Sequence, residues 1–449
     1  MRSFSWALVL FLGIASSCHT SKQVSHHNTI PSVYSNIYDK VQRATFEYFW
    51  TGAEPHSGMA RERLHLDNIY PQHDSNVVTT GGSGFGIMAL IVGMERKYIT
   101  RQEGYERMKK IVDFLSTADR FHGAWPHWLV GESGKTRPFS KKDDGGDLVE
   151  SSFLIQGLLC ARQYFREGNE AEKALASSID SLWREVEWTW YQHGQNVLYW
   201  HWSPNYDWQM NFPVTGYNEC LIMYVLAASS PTHPIDPAVY HEGWAKSGAI
   251  KDSIVTYGHL LTLRHNGAEK YGGPLFWSHY SYLGLDPRGL KDDYADYWQH
   301  NVNHTLINHD WCVDNPKHFK GYGPNNWGLT ASYSVNGYAA HAPGMESDLG
   351  VISPTAALSS MPYTPAYSMQ AMQYWMDSLG TKLFGPYGFY DAFSLQDNWF
   401  PNHYLAIDQG PIVVMMENYR SGLLWNLFMS CPEIQTGLKR LGFKSPHFK

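Results

Sequence analysis

The sequence predicts an all-α protein, an (α/α)6 barrel or toroid of two concentric helical rings joined by long irregular loops. Three observations lead there: about a dozen apolar patterns at helical period, acidic residues gathered where several of them begin, and aromatic, Gly- and Pro-rich connectors between them. In chain order the helical patterns cover 33–50, 84–97, 101–117, 148–165, 171–191, 217–229, 250–264, 329–337, 355–358, 367–379 and 409–427. The fourth opens from the turn Asp143-Asp144-Gly145-Gly146-Asp147, the sixth holds the apolar run Cys220 to Ala228, and the last holds Ile412 to Met416. Connectors such as Phe121-His122-Gly123-Ala124-Trp125-Pro126-His127-Trp128 and Trp200-His201-Trp202-Ser203-Pro204 carry no periodicity, and strand-like alternation is confined to short stretches such as Tyr387-Gly388-Phe389-Tyr390-Asp391. No composition break or charge block divides the chain beyond residue 31, so 32–449 reads as one domain. An inner and an outer ring of six helices each would gather the inner helix starts at one end, where their positive dipole ends favour anions.

The acids at those starts suggest chemistry, since paired carboxylates are the usual apparatus for hydrolysing a glycosidic bond. Asp147 and Glu150 also fit a capping box, in which an N-cap side chain and the third helical residue satisfy free backbone donors. Glu219 is different. Its neighbours Gly216 and Tyr217 are poor caps and an apolar run follows, so an isolated charge has no structural use there and its burial would shift its pKa. Asp408, three residues before Pro411, reads equally as a functional acid or as the N-cap of the last long helix.

With 449 residues, 43% of them hydrophobic, the chain can bury a large core. Its net charge of −7 and the lack of any basic stripe exclude electrostatic capture of nucleic acid. Aromatic residues reach 15%, with 18 Trp and 29 Tyr, a surplus that suits packing against the C–H faces of sugar rings. Residues 1–18 read as a secretion signal, with Arg2, a short apolar stretch and Ala15-Ser16-Ser17 before Cys18. The pattern fits a bacterial lipoprotein whose Cys18 is lipidated, followed by a polar tether at 19–31. That implies a periplasmic or outer-membrane-anchored protein, held to the membrane by its lipid. Cys160, Cys220, Cys312 and Cys431 show no paired short spacing and read as free buried thiols.

Longer motifs carry a resemblance. Tyr387-Gly-Phe-Tyr-Asp391-Ala-Phe and Ala406-Ile-Asp408-Gln-Gly-Pro, with Asp147-Leu-Val-Glu150, Trp200-His-Trp202-x-Pro204, Trp327-Gly-Leu-Thr-Ala331 and Val351-Ile-Ser-Pro-Thr-Ala356, resemble the bacterial glucoamylase-like family from about Tyr34 onward. The resemblance implies an (α/α)6 barrel and an anomer-inverting hydrolase that cuts β-1,2-glucan to sophorose and short sophorooligosaccharides. Related domains in cyclic β-1,2-glucan synthases leave transfer open beside hydrolysis. It also implies Glu219 as general acid and Asp408 as base, with Asp143, Asp147 and Glu150 as further pocket acids.

Trp327, Tyr387 and Tyr390 are candidate sugar platforms, each equally suited to the barrel wall, and His127 and Asp391 are candidate polar contacts to the sugar. No cofactor is expected. His122, His127, His304 and His309 lie on segments read as irregular, without a helical ligand pair, and the Asp143–Asp147 turn lacks full calcium-loop spacing, so no metal is assigned. Two other readings stay open: an exo-acting or α-glucan glycosidase, and a sugar-binding lipoprotein without catalysis.

Overall fold

In the computed structural model, residues 28–268 and 270–448 are described. The expected signal, Cys18 and most of the tether lie outside the described residues. The end of the tether is docked: Asn28 donates its backbone N–H to Arg420 O at 3.0 Å and its side-chain amide to Tyr419 O at 2.7 Å.

Among the described residues there are twelve α-helices: α1 (Ser32–Trp50), α2 (Thr80–Glu95), α3 (Arg101–Thr117), α4 (Leu148–Phe165), α5 (Glu170–Arg184), α6 (Leu221–Ser229), α7 (Tyr297–Asp314), α8 (Pro354–Leu358), α9 (Pro365–Leu383), α10 (Ala406–Ser421), α11 (Leu423–Met429) and α12 (Pro432–Arg440). Helices α2, α4, α6 and α8 are buried almost all round and α10 along most of its length, whereas α1, α3, α5 and α12 bury one face. A helix apolar on every side belongs in the middle and an amphipathic one outside. Accordingly α2 packs on α4 and α10, α4 on α6, and α10 on α8, while α1, α3, α5 and α12 lie against them from outside. The molecule is helix-rich and built as an α/α toroid. Glycines let α2 and α4 approach closely: a Cβ on Gly84 would stand 2.2 Å from Phe153 O, and one on Gly157 2.1 Å from Gly84 O.

Two expected helices are hairpins. Residues 250–264 form antiparallel strands Lys251–Thr256 and His259–Leu263, because Tyr257 and Gly258, at φ 51° and 82°, make a tight turn of the type that joins strands. Residues 329–337 enter the hairpin Ala331–Ser334/Gly337–Ala340, with Gly337 at φ 99°. Two helices escaped the periodicity. In α7 the buried face includes His300, Asn301, His304, Asn308 and His309, so an apolar stripe is interrupted by polar residues, and α12 is only 9 residues long. The expected 409–427 helix begins at Ala406 and breaks at Gly422, which adopts φ 67°. The 171–191 pattern ends as α5 at Arg184, before a separate 3-10 turn at Trp190–Gln192. Tyr387–Asp391 does contain a short strand, Gly388–Phe389, paired with Phe384–Gly385. Cys160, Cys220, Cys312 and Cys431 are free and buried, as read. Among the described residues no helix is long and apolar enough to cross a membrane.

Three short strand pairs set the starts of the buried helices. Val77–Thr79 runs beside Trp128–Val130 into α2, Gly146–Asp147 pairs with His201–Trp202 before α4, and Arg63–His65 pairs with His403–Leu405 before α10.

Candidate active site

At the start of α4, Asp147 is the N-cap: its Oδ1 accepts the Glu150 N–H at 2.9 Å. Half of the expected capping box is therefore present. Glu150 does not reach back, and its Oε2 instead accepts the Gly81 N–H at the start of α2, at 2.9 Å. Asp147 Oδ2 accepts from His127 Nδ1 at 2.8 Å and Trp200 Nε1 at 3.0 Å, while Asp143 Oδ2 faces His201 Nε2 at 3.3 Å and His127 Nδ1 at 4.0 Å. Burial works to raise Asp147, but the His127 hydrogen bond and charge outweigh it and hold the carboxyl low. Burial pulls His127 the other way from its three acids, Glu150, Asp147 and Asp143, and the acids prevail, pushing it up to about 10. The pair is an imidazolium–carboxylate. Glu150 goes to about 7, from burial first and then the Asp147 charge.

Glu219 sits in the turn before α6, where Ser281 Oγ donates to its backbone carbonyl. It is 8% exposed, reachable but largely desolvated. Burial, followed by the charges of Glu150 and Asp147, raises its carboxyl to about 7. Such a group keeps its proton near neutrality.

Asp408 occupies the first turn of α10 but caps nothing: Leu405 is the N-cap, and both Asp408 oxygens are buried with no backbone or side-chain N–H donating to them. Because α10 begins at Ala406, Pro411 falls in its second turn, not its first. Burial, then the charge and hydrogen bond of Asp391, hold Asp408 well above the carboxylate range. Asp391, which accepts the Tyr333 N–H at Oδ2 (2.8 Å), is raised by burial to about 6 while the shared hydrogen bond resists that rise. Two buried acids in contact bind one proton between them and carry one negative charge near neutrality.

The groups share one site. Tyr280, 6% exposed, lies within the electrostatic reach of Asp408, Glu150 and Glu219 together. Asp143, Asp147, Glu150, Glu219, Asp391, Asp408 and His127 thus converge. Trp327 does not: it is fully buried in an apolar cluster that includes Trp311, Leu329 and Trp375, against His309, and belongs to the core. Tyr387 and Tyr390 are half-buried and pack on Tyr404, as wall residues.

Glu62 was missed by sequence reasoning. It lies in the Arg61-Glu62-Arg63 charge run, which reads as solvated surface, yet its side chain is 12% exposed, is paired with Arg63, and lies in the field of Asp391 and Asp408. His201 and Trp200, beside Asp143 and Asp147, were visible only as a motif.

Among the described residues two clusters bring three possible metal ligands together, His127/Asp143/Asp147 and His65/Asp67/His403. In the first, His127 already donates to Asp147. In the second, both His65 nitrogens are engaged, with Ile69 O at 2.6 Å and Tyr333 OH at 3.0 Å. His122 and His304 make ordinary hydrogen bonds, to Glu187 and to Ser278 and Gly273.

Comparison with known proteins gives the family. The model of the Glycoamylase family, described as "Putative glucoamylase", matches residues 211–432. An endo-β-1,2-glucanase from Chitinophaga pinensis, solved with sophorotriose and glucose, is 72% identical, with a TM-score of 0.92 over 94% of this chain and 100% of that one. An exo β-1,2-glucooligosaccharide sophorohydrolase (non-reducing end) of Parabacteroides distasonis is 45% identical over 432 residues, 92% of this chain and 58% of the relative, so this chain spans little more than half of that protein. An endo-β-1,2-glucanase from Talaromyces funiculosus, at 11% identity and a TM-score of 0.68 over 91% of this chain and 89% of that one, shares the fold. With near-complete coverage at high identity, the chain belongs to the bacterial glucoamylase-like family of glycoside hydrolases.

Proposed function

We propose that the protein hydrolyses β-1,2-glucan to sophorose and short sophorooligosaccharides with inversion at the anomeric carbon. The observation that carries this is the placement of Glu219, buried but 8% exposed and raised to about 7, in the same group of acids as the buried pair Asp391/Asp408. Glu219 donates its proton to the departing glycosidic oxygen, and the carboxylate of the pair accepts one from the attacking water. Asp408 acts as base with Asp391 sharing its proton, since Asp408 alone in this setting would be neutral. Burial and the negative charges of Glu150 and Asp147 favour the protonated form of Glu219.

Residues 32–449 are taken as one catalytic (α/α)6 domain, with the 3-10 segments Leu275–Ser278 and Tyr280–Tyr282 counted together with α2, α4, α6, α8 and α10 as its inner ring. Lipidation at Cys18 would hold it at the membrane. A second reading, release of sophorose from non-reducing ends, is favoured by the sophorohydrolase relative.

The test incubates purified protein with β-1,2-, β-1,3-, β-1,4- and α-1,4-glucans, follows product length by chromatography, and reads the nascent anomer by NMR. Cleavage of β-1,2-glucan alone with first release of the α-anomer is expected. A first-formed β-anomer, or turnover of another glucan only, overturns the proposal. Sophorose as the sole early product selects the exo reading.

A further inference from the structure

Phe139 and Phe212 are each 50% exposed, although neither carries a polar atom on its ring. Single exposed apolar residues are ordinary on protein surfaces. These two are set apart by what they touch. The Phe139 ring stacks on the His127 imidazole at 4.2 Å between centroids and meets Trp128 edge-on at 4.9 Å. The Phe212 ring meets Trp200 edge-on at 5.5 Å and His201 at 6.4 Å. His127 and Trp200 are the two side chains that donate to Asp147 Oδ2, so the rings flank the polar cluster through its own members.

The backbone fixes both positions. Phe139 donates its N–H to Asp143 O at 3.0 Å, so ring and carboxylate belong to one turn. Trp200 donates its N–H to Phe212 O at 3.0 Å, tying the second ring to the segment that carries His201. The contacts that connect them run through His127, Asp147 and Trp200, with His201 and Asp143 alongside. Asp143 is oriented by His201 at 3.3 Å, and a carboxylate with about four lone-pair sites keeps acceptor capacity for further donors.

Two half-exposed hydrocarbon rings bordering a floor of acceptors and imidazoles match the amphipathic outline of a pyranose, whose C–H faces pack on aromatic rings while its rim hydroxyls seek polar partners. We propose that Phe139 and Phe212 are the apolar walls of a glucosyl-binding subsite with Asp143 on its floor, which holds one ring of the glucan chain beside the reacting bond. This rests on the glucan-hydrolase reading and adds to it the residues that position the chain. Neither phenyl ring takes part in proton transfer, so both are positioning residues.

The test measures calorimetric binding of linear β-1,2-glucooligosaccharides of four to eight units to Glu219→Gln protein carrying Phe139→Ala, Phe212→Ala, Phe139→Trp, Phe212→Trp, Phe139→Leu or Phe212→Leu, and steady-state kinetics of the same substitutions with Glu219 intact. Each Ala substitution should weaken binding about tenfold and raise KM alike with kcat within about threefold. Trp should restore binding and Leu should not. Ala variants that bind as tightly as the parent, or Leu rescuing as well as Trp, overturn the subsite, the latter because it would mean apolar cover rather than stacking. Unaltered protein that binds these sugars in a Phe-dependent way but never cleaves them refutes the hydrolase reading and leaves the subsite standing. Unaltered protein that does not bind them overturns both.

Discussion

Glu150 Oε2 accepts the Gly81 N–H at 2.9 Å, so the third residue of one buried helix satisfies a free donor in the first turn of its neighbour. This contact turns an acid that the sequence presents as a local cap into a bridge between α2 and α4.

A methyl group at position 81 would stand 2.5 Å from Glu150 Oε2 and 3.0 Å from Phe153 Cδ2. Gly81→Ala should therefore push the Glu150 carboxylate out of place, costing about 1–3 kcal/mol of stability by overpacking and lowering kcat/KM at least tenfold. If the loss acts through Glu150, Gly81→Ala should cost much less activity in a Glu150→Gln background. Equal losses in both backgrounds would detach the effect from Glu150.

In the proposed mechanism, with Glu219 as acid and the Asp391/Asp408 pair as base, the pH dependence of kcat/KM follows from two raised acids. Glu219 must hold its proton and, raised to about 7, loses it above that pH, so activity should fall on the alkaline side. The Asp391/Asp408 pair must keep a negative charge and, with Asp391 at about 6, gains its second proton below that, so activity should fall on the acid side. A narrow bell between about 6 and about 7 is expected, and Asp391→Asn should change its acid limb while leaving the alkaline one. An unchanged acid limb would remove Asp391 from the base.

The charge of Glu219 should cost stability. Its folded carboxyl is raised from an ordinary glutamate to about 7 by burial and the acids beside it, so the folded state keeps a proton that the unfolded chain releases. That contribution is fully present below about pH 4.5 and is lost as pH rises through about 7; a shift of this size corresponds to about 3 kcal/mol. Glu219→Gln carries no charge to bury. It should melt higher than the parent at pH 8, with much less advantage at pH 4.5, while losing turnover. An advantage independent of pH would point to packing instead.

Much of the helical frame was legible because local signals agreed. Helix α3 runs over the expected 101–117, entered by Thr100 with a complete capping box to Glu103, and α4 follows its glycine turn over 148–165. The 250–264 segment misled because Ile254, Val255, Leu260, Leu261 and Leu263 also suit a helical stripe, and only the Tyr257-Gly258 turn distinguishes the hairpin. Helix α7 hid because its buried positions include histidines and asparagines that bond to distant loops, such as Asn308 to Leu329 O at 3.0 Å. In the site, Glu219 stood out as a charge against an apolar run and Asp408 was singled out only by the family resemblance, whereas Glu62 needed the pairing of 63–65 with 403–405 to bring it beside α10. Trp327 looked like a sugar platform because composition cannot tell a core tryptophan from a cleft one.

The Ala331–Ser334/Gly337–Ala340 hairpin carries one more aromatic side chain close to the acids. Tyr338 faces Tyr333 across the strands, and paired residues point to the same side of a hairpin. Tyr333 is held by its N–H to Asp391 and by its hydroxyl to His65, 3.0 Å away, which fixes the hairpin beside the acids. Tyr338 is 54% exposed and lies in the field of Asp408, Asp391, Glu62 and Glu150. A half-free aromatic side chain at this place suits contact with the chain entering the site. Tyr338→Ala should raise KM for β-1,2-glucooligosaccharides about fivefold with kcat within about twofold, and leave the melting temperature nearly unchanged because little of the side chain is packed. Tyr338→Phe should keep most of the affinity if the ring supplies the contact, and lose it if the hydroxyl does. Wild-type KM in the Ala variant would place the hairpin tip outside the substrate path.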